Sequence, residues 1–155
     1  MRRKDREVTD INELLEIIQE CRICHLGMQD DKGIYIVPLN YGFEYVDNQL
    51  NLYFHSAKVG RKIDALKLNP NVCIEMDCDH RLIEGEKACD YSFGFKSVIG
   101  NGQASFVENY DEKLKGLQLL MLHETMKEFE FDTKMVNMVT VMKVVVQEFT
   151  GKYHK

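Results

Sequence analysis

Between Ile23 and Ser56 apolar and polar residues alternate, and the alternating runs are separated by only a few turn-forming residues. "ICHLGM" is followed by "QDDKG", then "IYIVPLNYGFEY", then "VDNQ", then "LNLYFH". Connections this short reverse a chain but cannot carry it across a sheet, since a parallel crossover needs a dozen or more residues. The pattern therefore dictates antiparallel hairpins and excludes a doubly wound parallel sheet. Three more runs alternate in the same way: "VCIEMD", "YSFGFKSVIGNGQASFVE" and the β-branched "MVTVMKVVVQEFTGKY". Six strands are predicted. Pro38 lies inside the longest early run and cannot donate to a ladder, so it belongs at an edge, a bulge or an opening. Gly42 marks a second irregularity there, and Gly94, Gly100 and Gly102 mark bulges or bends in the fifth strand.

Helical periodicity appears in three places. "TDINELLEIIQEC" repeats Ile11, Leu14, Leu15 and Ile18 on one face, with Asp10 as cap and Glu13 three residues on. "VGRKIDALKLNP" reads as a helix starting near Lys58, capped by Ser56, with Val59, Ile63 and Leu66 inward and Asn69–Pro70 as its stop. "YDEKLKGLQLLMLHETM" is a longer helix with Asp111 as cap and His123 on its surface or at an interface. "CDHRLIEGEKACD" is polar and reads as a loop. The whole predicts a mainly β fold with flanking helices, a small closed or split β-barrel of one domain spanning residues 1–155.

Composition enters where function classes are excluded. With 45% apolar and 29% charged residues the chain is globular, not disordered. Its net charge of −5 and pI near 5.5 argue against duplex nucleic acid as partner, since phosphate backbones leave a basic footprint. No window approaches the ~20 apolar residues of a membrane helix. The five cysteines, an odd count behind a charged start with no apolar core, predict reduced thiols and a cytoplasmic location.

Against that acidic background, "LYFHSAKVGRKIDAL" gathers Lys58, Arg61 and Lys62 where a strand hands over to a helix. Bases oppose the helix dipole at that end unless an anion binds there, and phosphate is the usual guest. A solvated basic turn over buried Ile63 and Leu66 explains the same residues, and the stretch alone leaves both readings open. In "IVPLNYGF", backbone groups released at Pro38 can meet a flat heteroaromatic ring, although an edge strand with a bulge accounts for it equally. "YSFGFKSVIGNG" places Lys96 and Ser97 among aromatics. "CRIC" has zinc or redox spacing but lacks a regular second half, so its thiols read as structural and no metal site is expected. "GNGQAS" is not a dinucleotide fingerprint, and the eight methionines read as core or subunit interface.

Three segments in order, "YIVPLNYGF", "LYFHSAKVGRKIDALKLNPNVC" and "ACDYSFGFKSVIGNG", resemble the FMN-binding split barrels of the pyridoxamine 5′-phosphate oxidase-like superfamily. The nearest resemblance is to 5-nitroimidazole antibiotic resistance proteins. The opening "MRRKDREVTD" and the closing "VQEFTGK" are similar too. The resemblance implies a six-stranded antiparallel split barrel and a homodimer with FMN, or alternatively FAD, at the subunit interface. It implies that Lys58, Arg61 and Lys62, with Ser56 and Ala57, hold the phosphate. The main chain at Val37, Pro38, Leu39, Asn40 and Tyr41 would meet the isoalloxazine, with Lys96, Ser97 and Val98 as a third contact segment. His55 matches the family histidine beside the flavin and is the catalytic candidate. The implied reaction is reduction of a small molecule, the nitro group of a 5-nitroimidazole. The alternatives are a flavin-binding or sensing module without turnover, or a haem-binding relative on the same barrel.

Overall fold

The structure is a computed structural model and describes residues 3–155, so Met1 and Arg2 of the charged opening lie outside it. After a single 3-10 turn, Lys4–Arg6, come β1 (Glu7–Val8) and α1 (Ile11–Glu20). The early hairpins are β2 (Cys24–Asp30), β3 (Gly33–Leu39), β4 (Gly42–Val46) and β5 (Gln49–Ser56), followed by α2 (Arg61–Leu68). Two long strands, β6 (Asn71–Ile83) and β7 (Ser92–Phe106), lead to α3 (Tyr110–Thr125), α4 (Thr133–Met138) and β8 (Thr140–His154).

The described residues form eight strands, not six, in one antiparallel sheet ordered β3-β2-β6-β7-β8-β5-β4, with β1 paired to β8. The path does not close, because β3 and β4 end it on either side. The count differs for two reasons. "IYIVPLNYGFEY" is two strands, because the chain leaves the sheet at Asn40–Tyr41. The two-residue β1 is also too short to show a period. Pro38 sits on edge strand β3, where a missing N–H costs nothing. The predicted loop "CDHRLI" instead continues β6, with a bulge between Cys78 and Arg81 around Asp79 (φ 55°). Gly102 lies at a register shift against β8, as expected of the glycines there.

α1 forms as read: the Asp10 carboxylate accepts from the Asn12 and Glu13 N–H groups at 2.8 and 3.2 Å. Its Leu14, Ile17 and Ile18 pack into the concave side of the sheet with Leu26, Ile74, Val98, Leu52, Phe54 and Val144. A smaller cluster, Tyr53, Val107, Leu117, Val136 and Val141, lies under α3 and α4 on the other side of β5 and β8. α3 is capped by Asn109, which accepts from Glu112 N–H at 2.9 Å, and not by Asp111. His123 is buried rather than superficial, and its Nδ1 donates to the Tyr41 carbonyl at 2.7 Å. Among the described residues no helix is long and apolar enough to cross a membrane.

One sheet face stays uncovered. On the outer side of β3, β2, β6 and β7, Ile34 (81% exposed), Ile36 (60%) and Ile99 (50%) face solvent.

Candidate functional site

The start of α2 is built differently from its expectation. Ser56 ends β5, and strict alternation along that strand sends Phe54 and Ser56 inward and His55 outward. Ser56 is therefore buried and cannot cap a helix that begins five residues later. The residue before the helix is Gly60, whose φ of 134° suits glycine, and no side chain caps the turn. The Gly60 carbonyl accepts from Ile63 and Asp64 N–H, which leaves the first N–H groups of α2 facing outward. Val59 is exposed, not inward; Ile63 and Leu66 are buried as read.

Around this uncapped turn the three bases have different surroundings. Arg61 is held by a bidentate pair with Asp30 at the end of β2, at 2.7 and 3.1 Å, and lies 4.3 Å over the Tyr35 ring of β3. That pair pulls Asp30 below the ordinary carboxylate range, chiefly through the hydrogen bond from Arg61. Lys62 is half-buried, and burial pulls its ammonium below the ordinary lysine range. Lys58 and Ala57 are exposed. Neither Lys58 nor Lys62 has an ion-pair partner among the described residues. Asp30 and Tyr35 were not foreseen, since "QDDKG" signalled only a turn and its partner Arg61 lies 31 residues on.

Arg61 joins this corner to β3, whose continuation carries Val37, Pro38 and Leu39 along the free sheet edge. Unpaired backbone groups on such an edge accept and donate to whatever lies beside it. Asn40 is exposed, and its amide donates to the Arg22 carbonyl at 3.1 Å. Tyr41 is fully buried; its hydroxyl donates to the Ile18 and Cys21 carbonyls at 2.6 and 3.1 Å. Its side chain is a structural clasp on α1 and does not reach an edge ligand. Burial also pushes its phenol up, so it stays protonated.

His55 is exposed on the outer face of β5, opposite Val141 of β8. The third segment lies apart from the α2 corner. Lys96 is bound to Glu20 at the end of α1, at 2.6 and 2.9 Å, Ser97 pairs across the sheet with Asp77 and Lys152, and Val98 is wholly in the core. Cys21 and Cys24 are buried, which pushes both thiols up, Cys24 to about 12, so "CRIC" holds inert thiols. On the uncovered face a trough of about 650 Å³ runs past Gly27, Ile34, Ile36, Cys73 and Asn101.

A flavin mononucleotide would ask for a phosphate seat and a strand edge able to meet a polar ring. The residues present fit: Lys62 is desolvated and unpaired, the first turn of α2 is uncapped, and the edge strand holding Pro38 begins at the same corner.

Comparison with known proteins places this geometry. Residues 10–153 match the family model described as pyridoxamine 5′-phosphate oxidase. A Bacteroides thetaiotaomicron crystal structure, provisionally assigned as a 5-nitroimidazole antibiotic resistance protein, is 35% identical, with 94% of this chain and 85% of that one covered at a TM-score of 0.82. The flavocytochrome Anf3 of Azotobacter vinelandii shares the fold at 17% identity, covering 100% and 72% of the two chains, TM-score 0.81. An FAD-binding protein of Mesorhizobium loti does so at 22% identity, covering 95% and 96%, TM-score 0.64. No curated protein matches the sequence.

Proposed function

The chain belongs to the pyridoxamine 5′-phosphate oxidase family, and from that premise we propose that it is a homodimeric FMN-dependent oxidoreductase acting on a small molecule, with 5-nitroimidazoles as the substrate class. The observation that carries the cofactor reading is the α2 corner. A half-buried lysine without a counter-ion beside an uncapped helix start is a costly arrangement that a phosphate dianion relieves. Arg61 is already oriented by Asp30 and Tyr35, and the guanidinium fork has donors left for phosphate oxygens. The single phosphate of FMN is what this seat calls for.

Bound flavin supplies the two-electron chemistry. The chain's contribution is positioning and proton supply. The free edge at Val37–Leu39 offers backbone donors and acceptors to the ring's polar end. His55 stands exposed at the end of the strand that leads into the phosphate corner, and imidazole is the side chain suited to delivering a proton to a reduced oxygen near neutral pH. The uncovered apolar face with Ile34, Ile36 and Ile99 supports the homodimer, since a second copy would remove it from water.

Turnover is tested anaerobically, by following loss of the nitro chromophore of a 5-nitroimidazole with chemically reduced protein. Wild type should consume it, and His55→Ala should keep its flavin while losing most of the rate. A His55→Ala protein that reduces the compound as fast as wild type removes the histidine from the mechanism. A flavin-loaded wild type that leaves every nitro compound intact favours the module without turnover.

A further inference from the structure

The uncovered sheet face carries a second cluster that the flavin reading does not use. His25 of β2 lies directly across from Glu75 of β6, and its Nδ1 donates to Glu75 Oε2 at 2.9 Å. Asp77, two residues along β6, presents its carboxylate on the same face. One ligand atom from each of His25, Glu75 and Asp77 lies within 4.8 Å of the others. Just beyond, the bulge at Asp79 turns the strand so that His80 Nε2 reaches Asp77 Oδ2 at 2.7 Å. All four side chains are between a third and a half exposed. Linear order conceals the group, because His25 and Glu75 are 50 residues apart.

We propose that His25, Glu75 and Asp77 bind a divalent first-row transition-metal cation, with His80 orienting Asp77 from outside the ligand set. The donor chemistry is one imidazole nitrogen and two carboxylate oxygens without sulfur, a set that suits zinc, manganese or ferrous iron. Zinc bonds of about 2.0–2.2 Å put neighbouring ligand atoms roughly 3.3 Å apart. Half-exposed side chains cover that difference by rotamer adjustment, while the paired strands hold their backbones in register. The His80–Asp77 contact is the outer hydrogen bond that ligating carboxylates ordinarily keep. Three protein ligands leave positions open to water or substrate.

Electrostatics favour the same assignment. The face around the cluster displays Ile36, Pro38, Ile99 and Gly27, and its nearest cation in register is Lys152, two strands across from Asp77. If a second copy covers this face, the Glu75 and Asp77 carboxylates would be buried with only the His25 and His80 imidazoles beside them. A divalent cation offsets the carboxylate charge. The cluster's geometry belongs to one chain and does not depend on the dimer.

The test is calorimetric titration of the metal-stripped full-length chain with zinc chloride, with cobalt(II) chloride followed by absorbance in parallel. We expect one ion per chain, at least tenfold weaker binding in His25→Gln and in Glu75→Gln, and a loss of about 10- to 100-fold in His80→Gln. The cobalt spectrum should lack a thiolate charge-transfer band. Absence of saturable uptake by wild type, uptake unchanged in His25→Gln, or a thiolate band assigning the ion to Cys73 or Cys89 would each overturn the site. Should His25→Gln lose its far-ultraviolet circular dichroism, Asp77→Asn decides in its place by the same tenfold criterion. Flavin content measured on the same samples separates failure of this site from failure of the flavin reading.

Discussion

Replacing Tyr41 with phenylalanine removes one oxygen from the centre of the fold and distinguishes a structural tyrosine from a ligand contact. The Tyr41 hydroxyl donates to the carbonyls of Ile18 and Cys21 at 2.6 and 3.1 Å, at the C-terminal end of α1 where carbonyls have no intrahelical partner. The ring itself stays packed against His123, 4.5 Å between centroids, and Phe54, 6.4 Å, so the substitution opens no cavity. What is lost is a net hydrogen bond of about 1 kcal/mol, with a further cost of roughly 1–3 kcal/mol for leaving a buried carbonyl unsatisfied. A loss of about 2–4 kcal/mol in a chain of 155 residues lowers the unfolding midpoint by about 4–16 °C. Thermal unfolding followed by circular dichroism measures this, and FMN titration of the same variant should give the wild-type affinity. An unchanged midpoint combined with tenfold weaker FMN binding would place the hydroxyl at the cofactor and refute the reasoning.

Gly42→Ala should be more damaging than its size suggests. A Cβ there would meet the α3 backbone, with Leu120 Cα at 2.7 Å, so the helix must move; we expect about 1–3 kcal/mol or more, read as a lower urea midpoint with an unchanged slope. Acid should weaken the α2 corner in a defined direction. Asp30 is depressed by Arg61, so its contribution is fully present above the ordinary carboxylate pKa of about 4 and is lost as pH falls through its lower folded value. Unfolding midpoints measured across that range should fall for wild type and fall less for Asp30→Asn.

The sheet was legible because most of its strands bury one face. In those alternating runs Leu26, Ile74, Val98 and Val144 face inward, and all four are in the core. Where both faces of a strand meet solvent the signal vanishes, and the stretch Cys78–Ile83 therefore read as loop while it continues β6. At the site the same alternation carried information that capping chemistry overrode. Phe54 inward and His55 outward already require Ser56 inward, which disqualifies it as a cap for α2. Tyr41 escaped because the chain leaves the sheet at Asn40 and the alternation restarts there. Pairs such as Arg61–Asp30 and Lys96–Glu20 join residues 31 and 76 apart, and no local pattern encodes them. The basic cluster itself, read against an acidic chain, did mark the corner where the desolvated lysine and the uncapped helix meet.

That corner is tested most directly by titrating FMN into the cofactor-free protein, wild type and Lys62→Met side by side, and following quenching of flavin fluorescence. The account predicts saturation at one FMN per chain for wild type. It predicts roughly 10- to 100-fold weaker binding for Lys62→Met, the loss of a hydrogen bond to a charged group. Wild-type protein that takes up no FMN, or a Lys62→Met variant that binds it as tightly as wild type, would contradict it.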